Sequence, residues 1–92
     1  MDAFVLLNIE HDYDDWKPVF DSDPAGRRDV AKGHIVARGV ENPNDIHVRI
    51  SFASVEDAEA FRDRLLESGV LDNYTVKAGP TVVRVADQAT YL

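Results

Sequence analysis

The sequence contains no cysteine. No disulfide can staple the chain and no thiolate can serve as nucleophile or metal ligand, and a cytoplasmic location is the expectation this suits. A surplus of positive charge is also missing: 17 acidic residues stand against 10 basic ones, for a formal charge of -7. A chain so charged is repelled by phosphate backbones and anionic lipid unless its cations cluster, so neither nucleic acid nor membrane is expected as a partner. Long apolar runs are absent. The longest, Ala3 to Leu7, is far too short to cross a bilayer. The opening Met1-Asp2-Ala3-Phe4 has no basic region ahead of a long apolar stretch, so no signal peptide is expected. Internal repeats and low-complexity tracts are lacking too.

What is present reads as one domain over residues 1–92, with a hydrophobic share of 45% that is ordinary for a packed core. Phe4 to Ile9 is strand-like and apolar on both alternating faces, as in a central strand. Asp12 is placed to cap a helix, with Asp14 and Asp15 in its first turn and Tyr13, Trp16, Val19 and Phe20 on one face; Pro18 predicts that it is short or kinked. A further helical piece with Pro24 at its first position is expected next. Gly33 to Gly39 and Ile46 to Phe52 form a hairpin around the turn Asn42-Pro43-Asn44-Asp45, which has proline at its favoured second position. Ser54 is placed to cap the second helix, with Val55, Ala58, Phe61 and Leu65 as its buried stripe and Gly69 at its end. Leu71 to Pro80 reads as irregular, and Thr81 to Val85 as the last strand.

The order β-α-β-β-α-β specifies an α+β, ferredoxin-like sandwich: a four-stranded antiparallel sheet with two helices on one face and the other face open. A four-residue loop at Asn42–Asp45 sets Ala37 opposite Ile50, Val36 opposite Ser51 and Arg38 opposite Arg49. In that register Ile35 and Ala37 point to the helices. The open face then carries Phe4, Leu6, Val36 and Val82 among His34, Arg38, His47, Arg49 and Arg84. An apolar patch ringed by cations calls for a cover, and a second copy of the chain is the expected one.

Three segments carry a family resemblance. They are the run NIEHDYDDWKPVF from Asn8 to Phe20, the turn Asn42-Pro43-Asn44, and the start of the second long helix, SFASVEDAEAF, with Glu56 to Phe61. Together they resemble the dimeric α+β barrel superfamily, in particular small proteins similar to antibiotic biosynthesis monooxygenases. The resemblance covers roughly the first three quarters of the chain and rests on structural motifs. It implies a homodimer whose sheets face each other, with a pocket between sheet and helices in each subunit. It also implies a small cofactor-free enzyme of secondary metabolism, an oxygenase or cyclase acting on a polycyclic or polyketide-type aromatic or enolic substrate. Heme-degrading members use an asparagine on the first strand, an aromatic residue ending the third strand and a histidine on the second helix. Asn8 and Phe52 occupy the first two positions, Phe52 in place of a tryptophan, but the second helix has no histidine. No cofactor is expected.

Each candidate has a functional and a structural reading. Trp16, Tyr13 and Phe20 either fill the core or wall a pocket for a flat ligand. His34 and His47 either abstract a phenolic or enolic proton, with Asn8 beside them, or hydrogen-bond across a dimer. Arg38, Arg49 and Arg84 bind an acidic group or an enolate, or pair with Glu10 and a partner's carboxylates. Phe52 joins Trp16 and Tyr13 as a substrate contact. Asp12, Asp14 and Asp15 match caps better than metal ligands, and no spacing predicts a metal site. The alternative to an enzyme is a non-enzymatic dimeric module that binds a small molecule or a protein.

Overall fold

The computed structural model describes residues 1–92. Four strands, β1 (Ala3–Glu10), β2 (Gly33–Arg38), β3 (Asp45–Phe52) and β4 (Thr75–Arg84), form one sheet in the order β2-β3-β1-β4 with every neighbouring pair antiparallel. Three helices, α1 (Tyr13–Asp21), α2 (Arg27–Val30) and α3 (Val55–Ser68), and a 3-10 turn at Val70–Asn73 complete the chain. The ferredoxin-like α+β sandwich expected from the sequence is the fold found, with one extra short helix.

Local chemistry explains the long helices. Asp12 accepts a hydrogen bond from the Asp15 amide at 3.2 Å, and Ser54 Oγ accepts from the Asp57 amide at 3.1 Å; each satisfies a donor that the first turn leaves free. Pro18 lies inside α1, which is nine residues long. Gly69 closes α3 at φ 74°, a left-handed conformation that glycine adopts without a side-chain clash. The core is built on the central strands: Ala3, Val5, Leu7 and Ile9 of β1 and Ile46, Val48, Ile50 and Phe52 of β3 are buried beneath Trp16, Ala58, Phe61 and Leu65 of the helices.

Three expectations need correction. The first is the hairpin register. The turn does lie at Asn42–Asp45, with the Asp45 amide donating to Asn42 O at 3.0 Å. The strands do not close on it, however. Val40 and Glu41 remain in the loop, and the Gly39 amide donates to Asp45 O at 2.8 Å. A Cβ on Gly39 would stand 2.6 Å from Asn42 O, so the loop folds against a residue without a side chain. Ala37 therefore pairs with His47, Ile35 with Arg49 and Arg38 with Ile46. The slip from the expected pairing is three residues, an odd number, and it exchanges the faces of β2. His34, Val36 and Arg38 go to the helix side, and Ile35 and Ala37 to the open side.

The second correction concerns β4, which starts at Thr75 and runs straight through the segment expected to be irregular. Gly79-Pro80 reads as a break in sequence, but it lies at an irregularity in the pairing with β1, between the partners of Leu6 and Asn8. Gly79 has φ 86°, and a Cβ there would collide with the Leu6 carbonyl oxygen. Val82 and Arg84 lie beside Val5 and Ala3, hence on the helix side and not the open side. The third concerns α2, which does not start at Pro24. The Asp23 carboxylate accepts from the amides of Arg27 (2.8 Å) and Arg28 (3.1 Å), so the helix begins at Arg27.

Candidate functional site

The two faces of the sheet carry different concavities. Between sheet and helices lies a cavity of about 50 Å³, lined almost wholly by apolar side chains that include Trp16, Phe20, Phe61 and Tyr74. It has room for about one or two water molecules, against the roughly 300–1,000 Å³ usual for ligand pockets. Trp16 is 4% exposed and packs on Phe20 with ring centres 4.9 Å apart, and Tyr13 lies 6.0 Å from Trp16. The aromatic stripe of α1 is thus part of the packed layer over the sheet.

The open face holds a groove of about 510 Å³ whose lining includes Leu6, Asn8, Ile35, Ala37, His47 and Arg49. Asn8, His47 and Arg49, drawn from the two central strands, are the sequence-selected residues brought together here. The others lie elsewhere. His34 is edge-on to Phe20 at 5.1 Å, on the helix side. Arg38 stacks over the Tyr13 ring at 4.1 Å and its Nε donates to Pro43 O at 2.8 Å. It does not face Arg49, whose guanidinium lies 4.8 Å over the Phe4 ring. Phe52 is fully buried against Phe61 at 5.5 Å. Arg84 borders a separate pocket of about 380 Å³ with Asp2 and Glu56 near the start of α3.

Two residues not selected from the sequence organise the groove's end. Asp45 Oδ1 accepts from Asn8 Nδ2 at 2.9 Å and from Lys77 Nζ at 3.0 Å, while Asp45 Oδ2 lies 3.1 Å from His47 Nε2. These hydrogen bonds, Asn8's first, then those of Lys77 and His47, hold the Asp45 carboxyl well below the usual carboxylate range. The Lys77 ammonium is pushed up by its bond to Asp45. Asp45 was legible in principle: Asp45, His47 and Arg49 recur at period two on one strand and must share a face. Lys77 was not, because its segment does not read as strand.

Asn8 Nδ2 has two hydrogens, and both are used, on Asp45 Oδ1 and on Ile46 O at 3.0 Å. The 3.5 Å approach of Asn8 Nδ2 to His47 Nε2 therefore has no proton of its own. At 3.1 Å from Asp45 Oδ2, His47 Nε2 is placed to donate to the carboxylate, with Nδ1 the other ring nitrogen. An imidazole, the carboxylate it touches and a guanidinium thus occupy alternate positions on one face of β3. No three His, Asp or Glu side chains gather as metal ligands, and no helix is long and apolar enough to cross a membrane.

Fold and site together define a small ferredoxin-like α+β domain with a mainly apolar groove, edged by Asn8, His47 and Arg49, on its uncovered sheet. No family model matches the sequence, and no curated protein matches it. The solved structure of Rv0793 from Mycobacterium tuberculosis is similar over 98% of both chains, with a TM-score of 0.65 at 10% identity; the likeness is one of fold.

Proposed function

We propose that this chain acts as a homodimer through its open sheet face, and that the groove there takes a small aromatic or enolic molecule of polyketide type. The chemistry is that of a cofactor-free oxygenase or cyclase. The observation that carries this reading is the meeting of Asn8, His47 and Arg49 in one groove of about 510 Å³, a volume within the usual range for small-molecule sites. Leu6 and Ile35, 38% and 52% exposed, supply apolar contacts for a ring and a reason for the face to be covered. His47 Nδ1 takes the phenolic or enolic proton, and Arg49 pairs with the enolate that forms. The enolate either attacks a carbonyl of the same molecule and closes a ring, or gives an electron to dioxygen, whose reduced form recombines with the substrate radical.

The expected result is oxygen uptake or product formation with a hydroxyanthrone or a comparable enolic compound. In His47→Ala, turnover falls about a hundredfold or more, as for loss of a general base, while sedimentation still reports a dimer. A monomer at micromolar concentration, or no turnover across a panel of such compounds, overturns the reading. A non-enzymatic dimeric module is the second reading, supported by the filled helix side, where the cavity is about 50 Å³. It accounts for a dimer that binds such compounds without consuming them.

A further inference from the structure

A second polar site lies on the other side of β2, away from the groove. The segment from α2 into β2 lines a pocket of about 170 Å³ with Arg27, Arg28, Ala31, Lys32, Gly33 and His34. Four of these six residues are basic and none is acidic, in a chain whose net charge is -7. Two of the nearby carboxylates are engaged elsewhere, and the third, Asp29 of α2, is exposed and forms no ion pair with the pocket's cations. Asp21 holds Lys17 at 2.7 and 2.8 Å, and Asp23 accepts the two backbone amides that start α2 while standing 3.6 Å from the Arg27 guanidinium. Arg28 and Lys32 form no ion pair; the Arg28 guanidinium donates to the Asp21 carbonyl at 3.1 Å.

The floor of the pocket is preorganised. Arg27 is 4% exposed, its guanidinium lies 3.8 Å over the Phe20 ring and donates to Phe20 O at 3.1 Å. The same residue lines the apolar cavity behind it, so it forms the wall between an aromatic interior and a cationic mouth. Gly33 leaves open space, with no atom within 4 Å of where a Cβ would be.

We propose that this pocket binds a phosphate-type dianion, either as inorganic phosphate or as the phosphoryl group of a small ester. Two exposed cations, Arg28 and Lys32, neither held in a direct ion pair, match a double negative charge. Arg27 supplies a fixed positive wall, and His34 becomes a further donor once protonated. His34 is held below the ordinary histidine value by burial first, then by Arg27, Lys17 and Arg28, with Asp21 opposing. A bound dianion reverses the sign of the field around it.

The test is an NMR titration of the full-length, nitrogen-15-labelled chain at neutral pH and constant ionic strength. Phosphate is exchanged for chloride in one arm and phenyl phosphate for chloride in the other. Saturable shifts of the His34 imidazole and of the Arg28 to His34 amides in the millimolar range are expected, together with a rise in the His34 pKa. Arg28→Ala and Lys32→Ala, both at exposed positions, each weaken binding about tenfold; Arg62→Ala, on α3, leaves it unchanged. Equal affinity in the two arms identifies free phosphate as sufficient, and tighter binding of phenyl phosphate identifies an ester. Shifts that do not saturate, or that survive loss of Arg28 and Lys32 together, overturn the proposal.

Discussion

Glu10 and Asp45 stand directly opposite each other across β1 and β3, and the ammonium of Lys77 bridges them, 3.0 Å from Asp45 and 3.8 Å from Glu10. Like charges facing across a ladder repel. The third strand in the cluster supplies the cation that reverses the balance.

Lys77→Met therefore exposes the repulsion. The urea midpoint should fall at neutral pH, and adding Glu10→Gln should restore part of the loss. A double-mutant cycle reads the coupling; if the two effects simply add, Lys77 is not a bridge.

The same cluster has an acid limit. Asp45 is held below the usual carboxylate range, so the stability it contributes is present above its unfolded value of about 3.8 and is lost as pH falls through the lower folded value. His34 gives a slope at higher pH. Its folded value is depressed, so the unfolded chain binds more protons between that value and about 6.5, and stability rises with pH across that window. Denaturant midpoints measured against pH should show this rise, and His34→Gln should flatten it.

Gly39→Ala tests the hairpin closure. The added Cβ meets the Asn42 carbonyl at 2.6 Å, and the cost should be about 1–3 kcal/mol, as for overpacking elsewhere. Urea unfolding measures it; a neutral effect would mean that the loop opens freely and does not hold the register of β2.

Trp16 is the one tryptophan of the chain, and it is buried on the helix side. A ligand in the open-face groove lies across the sheet from it. Saturating aromatic ligand should leave the Trp16 indole Nε1–H resonance almost unshifted, because ring-current shifts reach only a few ångströms. A large shift would place the ligand between sheet and helices.

Much of this architecture is legible in the sequence because it rests on local rules. The caps at Asp12 and Ser54, the glycine stop at Gly69, the apolar stripe of α3 and the two-faced apolar pattern of β1 each depend on a few neighbouring residues. The face assignment of β2 depends on one remote contact, the Gly39–Asp45 closure, and a turn with proline correctly placed does not reveal how many residues lie outside it. Both Ile35 and Val36 are β-branched, so either parity of β2 presents an acceptable apolar side chain. Gly79-Pro80 hid the first half of β4, and with it Lys77. Asn8, His47 and Arg49 fell on the open face as expected because β1 and β3 kept their parity; His34, Arg38 and Arg84 moved with the strands that did not.

The loop residue Asn44 has a reach beyond its own turn. Its carbonyl accepts from the His11 amide at 3.0 Å and its side chain from the Tyr13 amide at 3.2 Å, so the hairpin tip is riveted to the start of α1. Tip and helix start are tied at two points, and the His11 and Tyr13 amides should gain and lose hydrogen-exchange protection together with those of the tip.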